Sequence, residues 1–378
     1  MDKNLKNISN KLGGAILTKP RSSNLELYRI VCMLMIVAHH YVVNSGITSN
    51  CAPLYTDLIS EKSIFIVLFG AWGKTGINCF LMITGYFMCT STITLRKFLK
   101  LIGQIYFYST LIFILLFIAG YESLSFKHIV RLVFPLWGFK TNFVSCFIGF
   151  WLTIPFLNIL VHNMTKRQHE LLLILLFGMF TILGSIPSFK IGMEYITWFG
   201  IIYLLASYIR LYPRPVFENK GIWKRMTILS IVVAMISIVC IRISSGSIGH
   251  YFVSDSNKIF AVIIALCSFL WFKNMNIGYN KIINAFGAGT LGVLLIHANS
   301  DAMRQWLWKD FVDVIGHYKM LTTGELALYS IGVVLALFVI CNLIDQLRIA
   351  TLEKWFLNWY DNKLSAKADK IVNRIIQN

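Results

Sequence analysis

Four residues with reactive side chains lie in one helix-length apolar run near the start of the chain. Residues 26–43, ELYRIVCMLMIVAHHYVV, place Glu26 and Arg29 at one end and His39 and His40 near the other. Histidine is a candidate proton acceptor because its ordinary pKa lies close to neutral pH. Arginine binds phosphate through a planar fork of N–H donors. Groups for proton transfer and anion binding therefore share a segment in which charges are costly.

Helical geometry relates these side chains to one another. An α-helix turns 100° and rises 1.5 Å per residue, so Arg29 and His40 are three turns plus about 20° apart, at a distance of about 16 Å. Glu26 lies one turn before Arg29 and can pair with it. His39 points about 80° away from the Arg29 direction. The spacing predicts that His40, and not His39, shares the arginine face.

A second interpretation assigns these residues no chemistry. Glu26 and Arg29 would extend to the inner headgroups, and the two histidines would lie at the outer interface. The apolar run continues beyond His40 through residues 41–43, YVV, which favours an interior position for that histidine. One helix alone does not decide between the two interpretations.

Composition defines the protein class that must position these side chains. Of 378 residues, 57% are hydrophobic and 14% are charged, which is too little polar surface for a soluble protein of this length. We predict an all-α, polytopic membrane protein with about ten transmembrane helices. The predicted spans centre near residues 36, 76, 111, 152, 178, 203, 234, 265, 292 and 334.

The basic residues predict the orientation of these spans. With the N-terminus inside, inner segments hold 23 of the 35 lysines and arginines and outer segments hold 11, as the positive-inside rule requires. We therefore predict an N-in, C-in topology with a cytoplasmic tail (1–24), a ten-helix membrane domain (25–346) and a cytoplasmic tail (347–378). Apolar residues at helical spacing in the last segment predict an amphipathic helix on the inner membrane face. The scattered basic residues do not indicate nucleic-acid binding.

Several segments resemble the acyltransferase family 3 membrane proteins. The stretch NLELYRIVCMLMIVAHHYVV (24–43) resembles their first helix, with the Arg-x10-His spacing carried by Arg29 and His40. The stretch GAWGKTGINCFLMITGYFM (70–88) is similar to their second span, with Thr84 where serine is usual and Cys79 in place of a phenylalanine. Residues 147–161, 198–212 and 292–306 are similar to segments of the polysaccharide O-acyltransferase branch. The resemblance extends over most of residues 24–345.

This resemblance implies an activity and roles for residues. It implies transfer of an acyl group, usually acetyl from acetyl-CoA, to a sugar hydroxyl of a cell-surface glycan or its lipid-linked precursor. We expect a multi-pass protein of the cell membrane that uses acyl-CoA as a donor substrate and holds no permanent cofactor. His40 would be the general base, or would carry the acyl group as an acyl-histidine. Arg29, paired with Glu26, would contact a CoA phosphate.

Six other residues are candidates for a role in acyl transfer, and each of them also has a non-catalytic interpretation. Arg96, Lys97 and Lys100 lie just after the second span and would bind the anionic donor, or are ordinary positive-inside charge. Asn78 and Thr84 would donate to the developing oxyanion, or hold helices together. His297, at about the predicted depth of His40, would orient it or share its proton, or is a satisfied interfacial histidine.

Three other interpretations of the sequence are a dinucleotide-binding site, a zinc site and a transporter. The stretch GAGTLG (287–292) matches a dinucleotide-binding pattern, but it lies within an apolar span rather than between a strand and a helix; small residues at helix-packing positions explain it. The eight cysteines have no zinc-site spacing, so no metal site is expected. The alternative to an acyltransferase is a secondary transporter in which Arg29 and His40 line a substrate or proton path, although no internal repeat supports it.

Overall fold

The computed structural model describes residues 22–49, 52–126, 130 and 143–364. Within these ranges the chain is helical and has no β-strand, which confirms the predicted all-α fold for them. The α-helices are α1 (Ser23–Val43), α2 (Pro53–Thr56), α3 (Glu61–Gly70), α4 (Gly73–Met88), α5 (Leu95–Ile118), α6 (Phe143–Asn163), α7 (Lys166–Phe177), α8 (Tyr195–Leu211), α9 (Lys220–Ser245), α10 (Ile259–Lys273), α11 (Lys281–Ala288), α12 (Thr290–His297), α13 (Asp301–Arg304), α14 (Val314–Met320), α15 (Thr323–Arg348) and α16 (Lys354–Lys363).

The helical segments coincide with the predicted span centres, but they differ in length. Every predicted centre falls within a helical segment. Among the described residues, seven helices are long and apolar enough to cross a membrane, and an eighth span arises if the pair 281–297 and 301–320, bent by 94°, counts as one. The other two, α8 and α10, are apolar but shorter than a bilayer core requires. The count of ten and the N-in, C-in orientation stay predictions.

Helix α1 lies at the centre of the helical assembly. It contacts α3, α4, α10, α11, α12 and α15. Its side chains Tyr28, Cys32, Val37 and Tyr41 are fully buried. Such burial explains why the helix is apolar on nearly all sides, since its environment is protein rather than water. Polar groups on α1 are therefore placed inside the molecule.

The outer helices present apolar side chains outward. Phe156 of α6 is 71% exposed, Leu328 of α15 is 76% exposed, and Ile174 of α7 is 66% exposed. Exposed apolar faces of this kind on long helices are typical of lipid contact. The chain thus has a buried central helix and a ring of apolar surface, as expected of a multi-pass membrane protein.

Three glycines allow α11 and α12 to pack closely against α1 and α15. The glycines of the GAGTLG stretch each abut a polar side chain: Gly287 abuts Glu26, and Gly289 and Gly292 abut Asn342 and Asp345 of α15. A Cβ on any of them would overlap these groups. The stretch therefore serves helix packing, as predicted.

Helix α15 runs past residue 346, the predicted end of the membrane domain. Helix α15 ends at Arg348 and continues through a π-helical turn, Ile349–Glu353, into α16. Helix α16 buries Leu357 and Tyr360 and exposes Trp355 and Trp359. Residues 1–21 of the predicted N-terminal tail and 365–378 of the predicted amphipathic tail lie outside the described residues. The position of the tail on the inner membrane face stays a prediction.

Candidate active site

The candidate site forms where α1 runs beside α11 and α12. At the N-terminal end of α1, the Ser23 hydroxyl donates to Asn284 Oδ1 at 3.0 Å. One turn later Glu26 contacts Gly287. Near the other end, His40 meets His297. Because contacts advance in the same direction along both segments, α1 is parallel to α11 and α12.

His40 and His297 form a direct hydrogen bond. His40 Nδ1 lies 2.9 Å from His297 Nε2, although the residues are 257 positions apart in the chain. His297 is fully buried, whereas His40 is partly accessible. The rings are tilted against each other with centroids 5.1 Å apart. The structure therefore brings together two of the predicted site residues.

A second hydrogen bond determines how the pair is protonated when both rings are neutral. His297 Nδ1 lies 2.6 Å from the Val293 carbonyl oxygen, which only accepts, so Nδ1–H must be the donor. His297 Nε2 then carries a lone pair and accepts from His40 Nδ1–H. His40 Nε2 is left with its lone pair and has no hydrogen-bond partner among the described residues. This nitrogen is suited to accept a proton.

His39 points elsewhere, as the helical geometry predicts. Its Nδ1 lies 2.6 Å from the Gly70 carbonyl oxygen, to which it donates. Its ring packs against Gly73 at the start of α4, where a Cβ would overlap it. Gly73 therefore makes room for this ring between α1 and the α3–α4 junction. Two adjacent histidines thus have different environments within one helical turn.

Glu26 and Arg29 lie on α1 at the end opposite to the histidine pair. Glu26 is buried against α11, and Arg29 is partly buried. Eleven residues separate Arg29 from His40, which corresponds to about 16 Å along the helix. The pairing of Glu26 with Arg29 and their role toward a donor phosphate stay predictions.

The three basic residues at the start of α5 already have partners within the chain. Arg96 makes a bidentate ion pair with Asp361 of α16, with its closest contact at 2.8 Å. Lys97 donates to Ser91 Oγ at 2.8 Å and to the Thr92 carbonyl at 2.7 Å. Lys100 pairs with Glu353. An acyl-CoA molecule that bound here would compete with these internal contacts.

Asn78 and Thr84, the two candidate residues on α4, donate their hydrogen bonds to backbone carbonyls. The Asn78 amide donates to the carbonyls of Ser256 and Ala261 and accepts from Trp198 Nε1 at 2.8 Å. Thr84 Oγ1 donates to the Phe80 carbonyl of its own helix at 3.0 Å. The plain alternative, helix packing, therefore describes both residues in this structure. The structure does not place either of them with the histidine pair.

Comparison with known proteins identifies the family. The family model described as "Acyltransferase domain", that of acyltransferase family 3, matches residues 22–344. The chain belongs to acyltransferase family 3. No curated protein and no solved structure matches it. The chain is therefore a multi-pass membrane acyltransferase, and the predicted resemblance to this family over most of residues 24–345 is confirmed.

A buried ion network in this acyltransferase was not predicted. Asp345 of α15 accepts from Arg348 Nε at 2.7 Å and from the Tyr108 hydroxyl at 2.8 Å. Arg348 also donates to Glu353 at 2.8 Å, and Glu353 pairs with Lys100. All three residues of the central Asp345–Arg348–Glu353 chain are less than 9% exposed. An aspartate within the last apolar run was the available signal, because such residues are rare in membrane spans.

Two further residues beside the histidine pair were also missed. Arg304 ends α13, and its side chain reaches the Ala298 carbonyl, directly after His297. Trp308 is fully buried, and its ring lies edge-on to His297 at 6.3 Å and to Tyr41 at 5.9 Å. Tryptophan and arginine are frequent at span ends, so nothing in the sequence distinguishes these two residues from others of their type.

Proposed function

We propose that this acyltransferase moves an acyl group, acetyl being the expected one, from acyl-CoA to a sugar hydroxyl. The acceptor would be a cell-surface polysaccharide or its lipid-linked precursor, and the protein would lie in the cell membrane. The observation that carries the proposal is the hydrogen bond from His40 to His297, which leaves His40 Nε2 as a lone-pair nitrogen. A neutral imidazole in this form is the general base that acyl transfer to a hydroxyl needs.

The proposed step moves one proton and one acyl group. The acceptor oxygen attacks the thioester carbonyl carbon, and its proton goes to His40 Nε2. The carbonyl π pair moves to oxygen and then returns as the C–S bond breaks. The CoA sulfur takes the proton back from His40, so the products are an O-acyl ester and free CoA thiol. His297 acts through His40 and is therefore a positioning residue, comparable in its role to the aspartate of a hydrolase triad.

The acyl-CoA would bind at the end of α1 opposite to His40. Arg29 offers a fork of N–H donors for a CoA phosphate, with Glu26 to orient it. The positive residues Arg96, Lys97 and Lys100 would add attraction for the anionic nucleotide. The thioester must then reach about 16 Å along α1 to arrive at His40, which an extended pantetheine arm would accomplish within the protein.

A reconstitution experiment tests the proposal. Purified protein in liposomes receives acetyl-CoA labelled in the acetyl group, with polysaccharide or lipid-linked saccharide added as acceptor. Acyl transfer predicts that free CoA thiol and labelled O-acetyl ester appear in equal amounts. Label that crosses the membrane without any thiol release would favour the transporter alternative. An acyl-histidine route would instead give labelled protein when the acceptor is left out.

A further inference from the structure

The protein surrounding the histidine pair contains N–H donors that have no acceptor. Within the described part of the chain, Arg304 Nε, Trp308 Nε1 and Asn44 Nδ2 are buried and without a hydrogen-bond partner. Trp308 contacts His297, and Asn44 follows His40 by one helical turn, with its backbone N–H bonded to the His40 carbonyl. Buried donors in native proteins are nearly always satisfied. The unsatisfied donors of Arg304 and Trp308, both next to His297, therefore indicate that a ligand with acceptor oxygens binds beside the proposed catalytic base.

Arg304 is held in one orientation. Its Nη1 donates to Asp301 Oδ1 at 2.9 Å, and its Nη2 reaches the Ala298 carbonyl at 3.5 Å. These two contacts fix the planar guanidinium at the end of α12, next to His297. The Nε–H group is buried, although the side chain as a whole is 40% exposed. The guanidinium thus presents one uncommitted donor to the protein interior.

A second cation near the pair is already committed. Lys74 directly follows Gly73, the residue that packs against the His39 ring. Lys74 donates to the Tyr195 hydroxyl and pairs with Asp255 at 3.6 Å. Of these two cations, Arg304 is the one whose guanidinium lies at the residue after His297 and keeps a buried Nε–H without a partner in the described part of the chain.

We infer that Arg304 is a catalytic residue whose Nε–H donates to the thioester carbonyl oxygen as it becomes an oxyanion. The inference rests on the proposed function. When the acceptor oxygen attacks and its proton passes to His40, negative charge develops on that carbonyl oxygen. A fixed, positively charged donor lowers the energy of this state more than that of the uncharged thioester. The charge returns to the carbonyl bond when the C–S bond breaks.

Steady-state kinetics of Arg304→Ala tests this role. Loss of one oxyanion donor lowers kcat about 10²–10³-fold, and the KM for acetyl-CoA should change little because the contact forms only in the transition state. Arg304→Lys should retain part of the activity. Millimolar guanidinium should partly restore Arg304→Ala, a readout that a merely structural arginine would not give.

Matched controls separate catalysis from local structure. Lys309→Gln removes an exposed cation from the same segment and should leave kcat within about threefold. Asp301→Ala breaks the exposed ion pair of Arg304 and should cost less than tenfold. The inference is overturned if Arg304→Ala keeps wild-type kcat, or if Asp301→Ala matches its loss and guanidinium restores neither. If the wild-type protein transfers no acyl group, or His40→Gln is fully active, the proposed function itself fails.

Discussion

Helix α12 takes part in two buried polar clusters, at Gly292 and five residues later at His297. At Gly292 it abuts Asp345, whose carboxylate accepts from Arg348, Tyr108 and Gln104. At His297 it bonds to His40, and the hydrogen-bond chain ends there on a nitrogen with no partner among the described residues.

The difference between the two clusters indicates what each one does. In the ion network Asp345, Arg348, Glu353 and Lys100 alternate in sign and complete one another. Such a network fixes the relative positions of α5, α15 and the α16 region, and its buried members Asp345, Arg348 and Glu353 are paired with one another. Beside the histidine pair, His40 Nε2 carries a lone pair, and the buried donors Arg304 Nε and Trp308 Nε1 have no partner among the described residues. We therefore expect the first cluster to affect stability and the second to affect rate.

The largest effect on stability is expected for Asp345→Asn. Removing one partner of a buried ion pair leaves an uncompensated charge and costs about 3–5 kcal/mol of the free energy of unfolding. Thermal and denaturant unfolding in detergent would measure this loss. Glu218→Gln, which breaks the more exposed pair with Lys273, is the control and should cost about 0–1 kcal/mol. If Asp345→Asn were as stable as the wild type but inactive, the network would belong to the site.

An intermediate effect is expected for His297→Phe. The variant keeps an aromatic ring against Trp308 but removes the acceptor of the His40 Nδ1–H group, so the orientation and tautomer of His40 are no longer fixed. Loss of the partner that orients a metal-binding histidine costs about 10–100-fold in activity, and an effect of the same order is expected for His40. We expect this loss in kcat, with acyl-CoA binding unchanged, in steady-state assays and equilibrium binding. Wild-type kcat in the variant would show that the pair is only a packing contact.

The sequence determines the relative directions of side chains on one helix, but not which helices lie next to each other. The 100° turn per residue was enough to separate His40 from His39, because both lie on α1. The sequence predicts the depth of His297 in the membrane. It does not predict that His297 contacts His40, because the two histidines are 257 residues apart. For the same reason Asn78 remained a candidate until its contacts with Trp198 and Ser256 were seen. Properties set within a helix were predictable, and properties set by which helices meet were not.

The smallest effect on stability is expected for Arg96→Ala. The Arg96–Asp361 pair is nearly half exposed on both sides, so its loss should change the free energy of unfolding by about 0–1 kcal/mol. If Arg96 binds the donor, the KM for acyl-CoA should rise about three- to tenfold at low salt, and less at high salt.

Asp361→Ala is the matched variant for this prediction. It breaks the same ion pair but leaves the Arg96 cation available to a phosphate. The KM for acyl-CoA should therefore stay the same or fall in Asp361→Ala. An equal rise of KM in both variants would mean that the ion pair, and not the cation, is what matters.

The most direct test of the central claim compares His40→Gln with His39→Gln in a single-turnover assay of acyl transfer, on protein shown to bind acyl-CoA. The claim is that His40, held by His297, accepts the proton of the acceptor hydroxyl. His40→Gln should lower the rate about 10²–10⁴-fold, as for loss of a general base. His39→Gln, which alters a contact to the Gly70 carbonyl, should stay within about tenfold of the wild type. Equal losses in the two variants, or a wild-type rate in His40→Gln, would contradict the account.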